Sequence, residues 1–312
     1  MSKAGKRYFR IAASLVAVGA LAFSSPADAA THQQSGHGRV SIPAGSESRA
    51  PVIPVTLAGT GDFTFPRSVH AGFVTFKVST PDNTYHALQG IRVNPGHTLA
   101  QVLHDFELGL SDSRADNAQG ARQLVVDATL MGGVVPSSYA PMSVTMPMTR
   151  GTYYFFDQND IGGTVPVRVH RLKVVGKMRW SGIPRFSSII GMTIDSNHMP
   201  AFVAPTDLKA KGNVLVYGQG DELHEAVFRP IAPGITDAYI TQYYKDLDAG
   251  LPHAPSPWLG LQHGLQAMSP GQFAILHMDL PPGRYALVCL VPDDQSGIAH
   301  SHMGMHQVVT LH

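Results

Sequence analysis

This sequence predicts an all-β protein, a sandwich or barrel whose unit is written twice along one chain. Three observations carry that prediction. The 312 residues are 44% hydrophobic and only 14% charged, with 31 Gly and 23 Pro; low charge with many turn formers fits short strands better than long solvated helices. Short β-type runs are punctuated by turn residues at close intervals. The same order of strand, His, Pro-Gly-x-Thr, helix and Gly-x-Tyr strand recurs in both halves.

Taken in order, the chain opens on Lys3, Lys6, Arg7 and Arg10 and continues with an apolar run from Ile11 to Phe23. That run is too short to cross a bilayer comfortably, and Ala27-Asp28-Ala29 supplies small residues for cleavage. Residues 1–30 therefore read as a signal peptide, which implies export to a secreted, periplasmic or cell-envelope location. Its removal takes away four bases and one acid and moves the formal charge from +1 to −2. No later stretch is apolar for long enough to be a membrane span. With 23 Lys and Arg against 22 Asp and Glu, the chain lacks the basic surface that a nucleic-acid partner demands. Residues 31–50 hold mainly Gly, Ser, His and Gln and read as a flexible lead-in, with His32 and His37 on a solvated tail.

The repeat begins beyond that point. His86, Pro95, Gly96 and Thr98 coincide with His224, Pro233, Gly234 and Thr236 at a constant offset of 138. Apolar strands precede both copies, at Gly72–Val78 and Asn213–Tyr217, and Gly151-Thr152-Tyr153 downstream matches Gly283-Arg284-Tyr285. Thr98 and Thr236 stand where helix N-caps belong. Leu99, Val102, Leu103 and Phe106 then give one helical stripe, and Ile240, Tyr243, Tyr244 and Leu247 the other. Further strands are expected over Arg122–Val126, Tyr153–Phe156, Val167–Val174, Phe273–Met278, Tyr285–Val291 and Gln307–Leu311, with a turn at Gly132-Gly133. The boundary between halves falls near Val175–Trp180, giving units of 51–176 and 177–312.

Chemistry concentrates at the C-terminal end. A Pro-Gly-x-Tyr turn at Pro282–Tyr285 feeds an apolar strand that ends in Cys289, the chain's single cysteine. His300-x-x-x-Gly304-Met305 follows, then a last strand. This stretch resembles the cupredoxin family of plastocyanin- and azurin-type β-sandwiches, and the resemblance extends to His224 after the second copy's earlier strand. It covers most of 181–312 and, in weaker form, 51–175. It implies two tandem cupredoxin-like Greek-key β-sandwiches, each with a short inserted α-helix. It also implies copper held by His224, Cys289 and His300, with Met305 as a long axial ligand. Two imidazoles, one thiolate and a weak thioether suit copper in both oxidation states. Ten residues separate Cys289 from His300, a longer loop than electron-transfer cupredoxins carry. In the first copy the residue matching Cys289 is Asp157, so that copy is a degenerate one, structural or facing a partner.

Blander roles stand beside these. A lone Cys in an apolar strand is ordinarily a small buried hydrophobe, His224 a hydrogen-bonded structural residue, and Met305 core packing. A second metal route gathers His300, His302, Met303, Met305 and His306 within seven positions; on a strand only about half of them converge. Asp293-Asp294 and Asp246-x-Asp248 read as solvated charge. No Gly-x-Ser-x-Gly elbow, phosphate-binding glycine loop or His-Glu-x-x-His occurs, so no enzyme is expected. The sequence thus points to an exported copper protein for electron transfer or copper handling, with a redox or copper-exchange protein as partner. The alternative is a metal-free extracellular β-sandwich acting as a binding or structural module.

Overall fold

The structure, a computed structural model, describes residues 50–59, 63–163 and 166–312. The expected signal peptide and all of the lead-in except Ala50 lie outside the described residues.

The first half runs β1 (Val52–Thr56), β2 (Ser68–His70), β3 (Gly72–Ser79), β4 (Leu88–Val93), α1 (Leu99–Gly109) and α2 (Arg114–Asp127). It continues through β5 (Ala128–Val135), β6 (Met142–Met148), β7 (Gly151–Asp157) and β8 (Val169–Val175). The second half runs β9 (Ser188–Ile194), β10 (Pro200–Val203), β11 (Asp207–Leu208), β12 (Lys211–Gly218), β13 (His224–Pro230) and α3 (Asp237–Asp248). It closes with β14 (His263–Met268), β15 (Phe273–Asp279), β16 (Gly283–Val288) and β17 (His306–Leu311).

Two sheets run through both halves. One has the order β1-β3-β6-β15-β12-β9-β10, the other β11-β17-β16-β13-β14-β5-β4-β7-β8-β2. The ten-stranded order mirrors about the β14·β5 pair, and the seven-stranded order mirrors about β6·β15 apart from β10, which has no counterpart. The halves meet through the antiparallel pairs β6·β15 and β5·β14, and β1 lies parallel to β3 as β9 does to β12. The duplicated sandwiches are therefore joined edge to edge, which removes the exposed inner edges that would otherwise invite pairing with another chain. Phe76, Val144 and Leu276 from one sheet and Phe155, Phe228 and Leu287 from the other meet in the shared core.

Helices α1, α2 and α3 cover the outer face of the larger sheet. Val102 and Phe106 of α1 and Leu124 of α2 pack on Ile91, Leu130 and Phe156; Ile240 and Tyr244 of α3 pack on Val227, Ala286 and Val288. The expected caps are present. Thr98 and Gln101 form a reciprocal capping box on α1, and the Thr236 hydroxyl accepts from the Tyr239 N–H of α3.

Two local expectations are corrected. Arg122–Val126 is the end of α2, not a strand, so the first half carries two helices. Its β-branched Val125 and Val126 are outweighed by the Ser113 N-cap and by Ala118, Ala121 and Leu124 buried on the inner face. Close packing on α1 needs Gly120, where a β-carbon would meet the Asp105 carbonyl oxygen at 2.5 Å. Gly132-Gly133 lies inside β5 and not in a turn: Gly132, with φ +88°, sits at the bulge opposite Gly90 and Ile91.

Candidate metal centre

His224 opens β13 and Cys289 directly follows β16, and the register of those two strands brings them together. Cys289 stands one residue past the Val227–Val288 pair, so its thiol lies beside the start of β13. Its Sγ accepts the Glu225 N–H at 3.4 Å. His224, Cys289 and His300 are all at most 1% exposed.

The long loop does not carry His300 away, because residues 290–299 fold back on themselves. The Asp293 N–H donates to the Ile298 carbonyl and the His300 N–H to that of Val291, both at 2.9 Å, and the Ser301 N–H returns to the Cys289 carbonyl at 2.7 Å. The Asp293 carboxylate caps the tip by accepting from the N–H groups of Gln295 and Ser296. Asp293 is thus buried and structural, not the solvated charge expected of it. α2 of the first half props this hairpin from outside, where Arg122 donates to the Asp294 carbonyl.

Three donor atoms converge as a result. His224 Nδ1 and His300 Nδ1 are 3.1 Å apart, and Cys289 Sγ lies 3.9 Å from the first and 3.5 Å from the second. A point inside that triangle is about 2 Å from all three atoms, the length of metal–nitrogen and metal–sulfur bonds. Met305 is wholly buried; its carbonyl accepts the Cys289 N–H at 3.3 Å and its N–H donates to the His300 carbonyl at 2.9 Å. The backbone thus ties Met305 to two of the three converging residues. Two imidazoles and a thiol, with a thioether residue on the same loop, are the donor set of a trigonal copper site.

The electrostatics suit a cation. Burial, then the neighbouring His300, pulls the His224 imidazole down to about 3, so it is neutral with a free lone pair near neutrality. Burial, then the Glu225 charge, pushes the Cys289 thiol well above its ordinary range. A bound cation reverses that by stabilising the thiolate directly. His300 Nε2 contacts Glu222 Oε2 at 2.8 Å, which fixes that nitrogen as the N–H and leaves Nδ1 for the centre. Glu225 is held by burial at about 7, and its Oε1 accepts the Leu290 N–H at 3.0 Å.

Glu222 and Glu225 were not singled out from sequence. Their only signal is position, since two acids flank a histidine at the start of an apolar strand. The crowded turn His300–His306 does not form a second cluster. His302 stacks on Tyr244 at 4.0 Å and contacts Asp248, while His306 contacts Asp237 and Thr241. These contacts pin α3 to the loop. Asp248 also pairs with Arg114 at 3.0 Å.

The first half repeats the frame with different chemistry. Asp157 pairs with Leu88, two residues after His86, as the β13·β16 register sets Cys289 across from Ala226, two residues after His224. The Ala87 N–H donates to Asp157 Oδ1 at 2.9 Å, in the place of the Glu225 N–H to Cys289 Sγ. His86 Nδ1 contacts the other Asp157 oxygen directly, and its Nε2 reaches Asp82 at 3.0 Å. Both imidazole nitrogens are therefore spent on carboxylates.

No family model and no curated protein matches the chain. Among solved structures it is similar to auracyanin A, a blue copper protein from Chloroflexus aurantiacus, at 16% identity over 40% of this chain and 99% of that one, with a TM-score of 0.28. It is similar to the copper nitrite reductase from Nitrosomonas europaea at 13% identity over 84% of this chain and 94% of that one, with a TM-score of 0.23. It is similar to the blue copper oxidase from the same organism at 11% identity over 84% and 86%, with a TM-score of 0.21. TM-scores this low carry no argument; the chain's own strand order is that of two β-sandwiches joined edge to edge, with His224 and Cys289 brought together by the register of β13 and β16.

Proposed function

We propose that the protein is an exported electron carrier that holds one copper ion through His224, Cys289 and His300, with Met305 as the weak fourth ligand. The observation that carries this reading is the size of the donor triangle, which fits a metal ion without rearrangement. Copper bound there supplies a one-electron change between two oxidation states. The chain's part is to hold the donors still. β13 and β16 fix His224 and Cys289, the folded hairpin fixes His300, and Glu222 orients its ring.

Electron transfer is favoured over copper delivery by burial. All three converging residues are at most 1% exposed, so an ion can leave only by opening the hairpin. An electron can instead pass through His300 toward Glu222, whose side chain is 18% exposed. That edge is where a redox partner would dock. Segments 51–176 and 177–312 are the two copies of one duplicated unit, the first serving as a scaffold that braces the copper loop through α2. Among the described residues no helix is long and apolar enough to cross a membrane. Export rests on the basic, apolar and small-residue segments of residues 1–30.

One equivalent of Cu(II) added to the purified protein tests this. An intense visible band, lost in Cys289→Ser, is expected. A colourless protein without bound metal would leave the metal-free module as the better reading. Copper bound equally well by Cys289→Ser would shift the site to the histidines alone.

A further inference from the structure

A cavity of about 280 Å³ lies between the helices of the first half and the metal loop of the second. Phe106 of α1, Leu124 of α2, Leu130 of β5, Ala267 of β14 and Val291 of the loop give it apolar walls. Glu225, Tyr85, Gln158 and Gln262 supply its polar groups. One of them presents an unused acceptor: Gln158 Oε1 is buried with no hydrogen-bond partner. Glu225 is 7% exposed, and its Oε1 accepts the Leu290 N–H. A buried acceptor without a donor is rare in folded proteins and calls for one. An apolar cavity of about 150 Å³ already accommodates benzene, so this one has room for a fused pair of rings.

We propose that this cavity is a binding site for a small, largely apolar ring compound carrying one hydrogen-bond donor. The donor meets Gln158 Oε1, and the ring lies between α1, α2 and β14. The apolar walls disfavour a strongly hydrated or multiply charged occupant. Water alone would satisfy the acceptor but leave the walls wet. Glu225 of the cavity wall donates its N–H to Cys289 Sγ, so an occupant touches a residue that also borders the metal centre. Binding itself needs no metal.

Indole and 1-benzothiophene, alike in shape but differing in the N–H, are the probes, titrated calorimetrically into metal-free and copper-loaded protein. Indole is expected to bind in the micromolar to submillimolar range in both forms, and benzothiophene at least tenfold more weakly. Ala267→Phe, which fills the cavity, is expected to weaken indole at least tenfold. Should that variant fail to fold, Ala121→Leu from α2 serves the same purpose. In the wild-type protein, indole ring protons should show cross-relaxation to the methyls of Leu130 and Ala267. No binding at millimolar indole, equal affinity for the two probes, or cross-relaxation to other methyls alone would overturn the proposal. A protein that binds indole but no copper would sustain this site and overturn only the copper reading.

Discussion

His224 Nδ1 and His300 Nδ1 face each other at 3.1 Å inside the protein, a separation that leaves room for one proton or one metal ion between them but not two protons. Burial and that neighbour hold the folded-state pKa of His224 at about 3, against 6.5 for a free imidazole. As pH falls below about 6.5 the unfolded chain therefore takes up a proton that the folded chain refuses. Stability is complete above that point and is lost progressively toward pH 3. Metal-free wild type should lose about 2 kcal/mol between pH 7 and pH 5 that His224→Gln does not lose. Urea unfolding at the two pH values checks the difference; parallel losses in the two proteins would show that His224 ionises freely.

On the copper reading proposed above, Glu222 orients His300 from its far nitrogen. Replacing it with Leu removes the acceptor from His300 Nε2, 2.8 Å away, and frees the ring to turn or change tautomer. Copper affinity should fall by about 10- to 100-fold, the usual cost of losing such a partner, while the visible band keeps its thiolate character. Glu222→Gln, which still offers an oxygen, should recover most of the loss. Competition with a chelator measures both variants, and an unchanged affinity in Glu222→Leu would remove Glu222 from the site.

Much of this frame was legible because a duplicated sequence repeats its own pairing. A constant offset aligned His86 with His224, and the same pairing geometry then placed Asp157 where Cys289 stands, as β4·β7 and β13·β16 show. Cap chemistry at Thr98 and Thr236 was legible for the same reason. Other features depend on partners distant in sequence. Val125 and Val126 read as strand until α1 offers a surface for α2. Gly132-Gly133 reads as a turn until β4 lies across it. The ten-residue metal loop is long in sequence but short in space, because its own hydrogen bonds fold it. Glu222 and Glu225 acquire their roles only when His300 and Leu290 come back beside β13.

Gly297 tests whether the folded hairpin is what returns His300. Its φ is +68°, and a β-carbon there would meet the Arg114 carbonyl oxygen at 1.9 Å. Gly297→Ala must therefore accept left-handed strain and push α2 off the loop, at a cost of about 2 kcal/mol or more. Copper binding should weaken along with stability, because the displaced hairpin carries His300. Stability lost with copper affinity intact would mean that His300 is held by other contacts.

Asp157 separates the scaffold from the site. It accepts the N–H groups of Ala87 and Asn159 and contacts the buried His86, so Asp157→Ala strands an imidazole and two backbone donors. Leaving a buried donor without its acceptor costs about 1–3 kcal/mol, and chemical denaturation should show a loss of at least that order. The visible band should not move, since no donor of the copper triangle changes. Asp157→Cys restores the thiol of the second half but supplies no counterpart of His300, because His86 matches His224 and residues 158–169 contain no histidine. It should create no second coloured site. A second equivalent of copper bound with thiolate colour would show that the first half keeps a ligand set which its hydrogen bonds conceal.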